Sequence, residues 1–214
     1  MVEISAIRAI TYDPGRVDPS RVLAPPYDVI DEEERQELER LDPHNAVRLI
    51  LPRGTDAEKY QAAARTLAAW QNDGTLRRDA TPALYRYHQV FANSEADGQL
   101  VVRKGFIAGV RLQTFDQGGI RPHERTLRGP KIDRLSLMRA TGAHFSQIFT
   151  LYADKERVTD GIFALRESGP PALEGKTTDG TLHRLWRVTD APTIAKITRV
   201  LRERDLYIAE GHHR

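Results

Sequence analysis

GGIRPHERTLRGPKIDRLSLMRATGAHFSQIF, Gly118 to Phe149, gathers His123, Glu124, Thr126, Arg128, Lys131, Asp133, Arg134 and Arg139 into a span that opens on two glycines and holds two prolines. Polar side chains crowd together where the backbone must turn, and an apolar pattern follows. A polar loop, a helix and then a strand (SQIFTLYAD) is therefore the reading. Asp133 is expected to cap the helix, Leu135, Met138 and Ala140 to face the core, Arg139 to sit in the last turn and Gly142 to stop it. Such a loop would set free N–H groups and a positive dipole end beside Lys131 and Arg134, where an anion could be received. The same charges also fit a purely structural network.

Working outward, Ala6 to Tyr12 alternates as a strand, and Pro25 and Pro26 hold Tyr27 and Asp28 in an extended loop, as a rigid turn or as pocket residues. Asp31 and Glu34 start a charged helix that ends near Leu41, and Ala46 to Leu51 reads as a buried strand ended by Pro52. Thr55 and Glu58 suggest a capping box for a helix whose Tyr60, Ala63, Ala64, Leu67 and Trp70 recur at helical spacing and are expected to pack on the sheet. ALYRYHQVF and QLVVRKGFIAGVRLQTF form a long antiparallel hairpin across ANSEADG. Beyond the central stretch come a helix from Lys155 to Glu167 with Val158, Ile162 and Leu165 on one face, the strand LHRLWRV, and a helix capped by Asp190. That last helix carries Pro192 in its first turn and buries Ile194, Ile197 and Leu201. A short apolar strand, Leu206 to Ala209, runs into Glu210, Gly211, His212, His213 and Arg214. These elements predict one α+β domain over 1–214, with a mixed or mostly antiparallel sheet and flanking helices.

The bulk composition removes several classes. With 32 Lys and Arg against 30 Asp and Glu, the net charge of +2 gives no broad grip on nucleic acid or an anionic membrane. The absence of cysteine excludes disulfides, thiolate catalysis and cysteine metal sites. MVEISAIRAITYD has no long apolar run, so neither a signal peptide nor a membrane span is read there, and the cytoplasm is the expected location.

The terminal EGHHR has a chemical logic. Gly211 permits a tight turn, His212, His213 and Arg214 supply donors, and Glu210 ends an apolar strand as a candidate base. A frayed tail would look similar. His123 and Glu124 are adjacent rather than spaced at i and i+4, so no metal ligand set is assigned, and no GxxxxGK[ST] or GxGxxG loop occurs.

The ordered set APPYDVI (24–30), NAVRLILP (45–52), RPHERT (121–126), KIDRLSLMRAT (131–141), a phenylalanine strand ending in LY (149–152) and EGHHR (210–214) resembles the family called domain of unknown function 1015. Family sequences commonly carry Asp where Glu210 stands and Pro where Gln147 stands. Members continue past the GHHR motif into a helix and a further region, so the resemblance implies the N-terminal part of a longer architecture. More distantly, the Gly-x-His-Arg ending looks like the phosphate-binding corner of the ParB and sulfiredoxin superfamily, some of whose members phosphorylate free serine with ADP or ATP. That likeness places Gly211, His213 and Arg214 at the phosphates and Glu210 at the neighbouring acidic position. His212 stands where sulfiredoxin has its cysteine, so sulfinic-acid chemistry is not expected.

The expectation is a nucleotide or phosphate site built from Lys131, Arg134, Gly211, His212, His213 and Arg214, with Tyr27 and Asp28 in the pocket. Catalysis, as a phosphotransferase such as a free serine kinase, would fall to Glu210, His123 and Glu124, with ATP or ADP and Mg²⁺. The rival is a nucleotide-responsive regulator or adaptor that performs no transfer. Either way the partner is a small molecule or nucleotide.

Overall fold

The computed structural model describes residues 1–123 and 128–212, the side chains of Asp56 and Ala96 apart. In chain order the elements are β1 (Ile4–Ser5), β2 (Ile10–Tyr12), α1 (Pro19–Val22), α2 (Glu32–Leu41), α3 (Val47–Ile50), α4 (Asp56–Asn72), β3 (Leu76–Arg78), β4 (Leu84–Asn93), β5 (Gln99–Ile107) and β6 (Gly109–Val110). They continue with β7 (Ile120–Arg121), α5 (Arg128–Thr141), β8 (Phe149–Leu151), α6 (Val158–Phe163), β9 (Leu173–Lys176), β10 (Leu182–Val188), α7 (Ala191–Arg202) and β11 (Leu206–Glu210). The architecture is α+β, and its strand pairs are mostly antiparallel.

The largest sheet is antiparallel, in the order β5-β4-β10-β9. Its central hairpin aligns Tyr85 with Ile107 and Asn93 with Gln99, and left-handed Asp97 and Gly98 turn the chain between the strands. A second sheet runs β7-β11-β8, with β11 parallel to β7 and antiparallel to β8. Two short pairs, β1-β6 and β2-β3, complete the strand order.

Two cores hold the layers. In one, Ile197 and Leu201 of α7 and Phe163 of α6 meet Val2, Ile4, Leu84, Val188 and Leu206. The apolar spacing and the cap explain α7: the Asp190 carboxylate accepts from Thr193 N at 2.8 Å, and proline occupies the first turn, where no N–H is needed. In the other core, Leu67 and Trp70 of α4 close on Leu49 and Leu76. Trp70 is 6% exposed, as the helical spacing requires. The α4 face nevertheless packs on α5 and α3 as well as on β3.

Arg86 of β4 is 1% exposed, with Nε 2.6 Å from Glu167 Oε1, a terminal nitrogen 2.6 Å from Asp160 Oδ1, and its guanidinium over the Phe163 ring at 4.9 Å. A buried guanidinium needs such partners, and this one ties the large sheet to α6 and the turn behind it.

The structure corrects several expectations. Ala46 to Leu51 is not a strand: buried Asn45 accepts from Val47 N at 3.0 Å and donates to the Arg21 and Leu23 carbonyls, which starts the helical turn α3. Thr55 precedes α4 without a side-chain cap bond, so the capping box with Glu58 does not form. Asp133 lies inside α5 rather than at its cap, because the helix begins at Arg128 and takes Pro130 into its first turn. The buried residue of α5 is Leu137, while Leu135 is 40% exposed. The 155–167 segment is helical only from Val158 to Phe163 before it tightens, so Leu165 points outward and Thr159 and Phe163 inward. Asp154 sets that start, accepting from Val158 N at 3.0 Å and Thr159 N at 2.9 Å.

Candidate functional site

β11 is the middle strand of its sheet, with Leu206 and Ile208 buried and Tyr207 and Glu210 exposed. A bulge between Ile208 and Glu210 leaves Glu210 opposite Phe149. Gly211 follows at φ +90°, a left-handed turn that most side chains avoid, and it brings His212 around. Parallel pairing of β7 with β11 carries the chain after Arg121 alongside the same strand end. There His123 donates from Nδ1 to the Ile208 carbonyl at 2.6 Å and meets the His212 ring edge to face, centroids 4.4 Å apart. Because a carbonyl only accepts, the Nδ1 hydrogen is assigned, and Nε2 of neutral His123 carries the free lone pair.

The remaining described residues form a second group. Asp133 accepts from Lys59 Nζ at 2.8 Å, from Tyr60 Oη at 2.7 Å and from Arg134 Nε at 2.9 Å. Burial opposes ionisation of this carboxyl, yet the hydrogen bonds from Lys59, Tyr60 and Arg134 outweigh it and hold the group down at about 2. Arg134 also donates to the Ile50 carbonyl at 2.7 Å and stacks 3.9 Å from the Tyr27 ring centroid. The APPYD loop, α3, α4 and α5 thus meet on one charge network. Lys59 and Tyr60 were not legible as its members; Tyr60 reads as a core position by spacing, although its hydroxyl is what is used.

Lys131 and Arg134 also line a cavity of about 230 Å³ with residues 143–146, and neither His123 nor Gly211 is part of its wall. Asp28 is exposed beside Tyr27. Glu124, Thr126, His213 and Arg214 lie outside the described residues. Among the described residues no group of three His, Asp or Glu side chains is placed to hold a metal ion, and no helix is long and apolar enough to cross a membrane.

An α+β chain with a glycine–histidine corner at the end of a central strand is the class that fold and site define. The chain belongs to the family described as "Protein of unknown function (DUF1015)", whose model matches residues 4–214. No curated protein and no solved structure matches it.

Proposed function

We propose that this chain binds a nucleotide through its phosphates at the corner formed by His123, Gly211 and His212, and that it transfers a phosphoryl group to the hydroxyl of a small molecule in the cytoplasm. The observation that carries the reading is the pairing of His123 with His212 at the end of β11, 85 positions of chain separating His123 from the carbonyl that orients it. The His212 imidazole and the backbone beside a left-handed glycine offer donors to phosphate oxygens, His123 ties the corner to β11, and Arg214 follows two residues after His212. The acceptor hydroxyl oxygen attacks the terminal phosphorus, the bond to the departing nucleotide oxygen breaks, and the hydroxyl proton passes to a carboxylate, with Glu210 and Glu124 the two candidates. ATP or ADP would arrive with Mg²⁺ held mainly by phosphates and water. In this reading Arg134 is a structural residue, since Asp133, Ile50 and Tyr27 engage its guanidinium.

Titration of ATP and ADP, with and without Mg²⁺, into wild-type protein and Arg214→Ala tests the site. A loss of roughly 1.5–3 kcal/mol is expected from removing one charge-assisted contact. Equal affinity in the two proteins would remove the phosphate corner. Glu210→Gln should keep the nucleotide and lose turnover; a wild-type protein that binds but never transfers would instead be a nucleotide-responsive regulator.

A further inference from the structure

The cavity beside α5 is built by the helix turning back on itself. Lys131, Arg134, Leu135 and Met138 follow one another at i, i+3, i+4 and i+7, which places them on one stripe of the helix. Gly142, at φ +63°, donates to the Met138 carbonyl at 2.8 Å and reverses the chain, so that residues 143–146 face that stripe. Ala143 and Phe145 are packed at the same time against the Trp70 core, which fixes this wall.

The lining has a definite chemistry. Leu135, Met138 and Phe145 are apolar, whereas Lys131, Arg134, His144 and Ser146 supply the polar groups, and among the described residues no carboxylate lines the wall. Arg134 is held by Asp133, the Ile50 carbonyl and the Tyr27 ring, whereas Lys131 makes no ion pair among the described residues and is the charge of the wall left to meet a ligand. At about 230 Å³ the space lies below the roughly 300–1,000 Å³ of sites for drug-sized ligands. Its mostly apolar wall suits a small ligand with an aliphatic body.

We infer that this cavity is a binding site for a small amphiphilic carboxylate, with the apolar body against Leu135, Met138 and Phe145 and the carboxylate at Lys131. Apolar contact supplies the affinity and the lysine selects the charged head. The site is independent of the nucleotide reading, since the corner residues do not line it.

Calorimetric titration of the protein with octanoate, 1-octanol and acetate tests the assignment, with proton–carbon spectra of the Met138 and Ala143 methyls recorded alongside. Octanoate should bind saturably and shift both methyls, and octanol and acetate should each bind about tenfold more weakly or worse. Lys131→Ala should bring octanoate down to the level of octanol without changing octanol. Leu135→Asp, at a position 40% exposed and so tolerated by the fold, should abolish octanoate binding. Unsaturable octanoate binding, unmoved methyls, or undiminished octanoate affinity in Lys131→Ala would each overturn the assignment. Failure of ATP to bind would leave it untouched.

Discussion

Arg86 Nε lies 2.6 Å from Glu167 Oε1, and this bond joins a strand in the middle of the large sheet to the turn behind α6. Arg86 is almost wholly enclosed, so removing its partner leaves a charge in the interior with only Asp160 opposite. Glu167→Ala should therefore destabilise the protein by about 3 kcal/mol or more in urea unfolding. Arg86→Met with Glu167→Leu should recover much of that loss, which a double-mutant cycle would read directly.

Trp70 is the largest contributor to the second core, with the His44 ring 5.4 Å and the Tyr12 ring 6.3 Å away. Trp70→Ala should cost about 3–5 kcal/mol, measured as a lowered denaturant midpoint. A change below about 1 kcal/mol would mean that the α4 packing is wrong.

The Asp133 network predicts an acid limb. Its carboxyl sits at about 2 in the folded protein, below the usual value of about 3.9 in an unfolded chain. The stabilisation is therefore complete above about pH 4 and disappears as pH falls through about 2. Partial exposure screens the pair, so the amount is on the order of 1 kcal/mol. Wild type minus Asp133→Asn, followed by unfolding between those pH values, should show the difference shrinking toward acid.

His88 predicts a separate, milder limb. Burial lowers its pKa and Glu167, 3.4 Å away, acts in the opposite sense. A folded value below the ordinary one, about 6.5, means that the neutral ring belongs to the native state. Its contribution is fully present above about pH 6.5 and declines as pH drops through the folded value. Imidazole proton shifts should show His88 titrating below an exposed histidine, and His88→Gln should flatten that part of the stability profile.

Gly175 of β9 predicts a steric effect. A Cβ there would lie 2.9 Å from the Pro19 carbonyl carbon, a backbone atom of α1 that no rotamer can move aside. Gly175→Ala should cost about 1–3 kcal/mol and loosen α1 from the sheet, seen as faster amide exchange at Lys176, whose N–H is held by Ser20 Oγ at 3.0 Å.

The elements legible in the sequence were those whose signals are local. The hairpin of β4 and β5 shows in its alternation and its turn, and α7 in its capping aspartate, its proline and its 3.6-residue period. Ala46 to Leu51 misled because buried Val47 and Leu49 flank half-buried Arg48, an alternation that a strand would share over so short a stretch. Asp133 read as a cap because Gly129 and Pro130 resemble a break, although proline in a first turn is tolerated. At the candidate site the residue types could be listed, but not their grouping. The contact of His123 with His212 depends on β7 lying parallel to β11, and that of Tyr60 with Asp133 on two helices meeting 73 positions apart.

The parallel pairing of β7 with β11 also sets an order of events during synthesis. The β4–β5 hairpin closes on itself within a few residues, whereas β7 must wait for Leu206 before it gains a neighbour. Between the completion of β7 and that of β11 roughly ninety residues leave the ribosome, ~4–18 s at ordinary elongation rates. For that interval His123 travels without the Ile208 carbonyl that orients its ring in the finished fold.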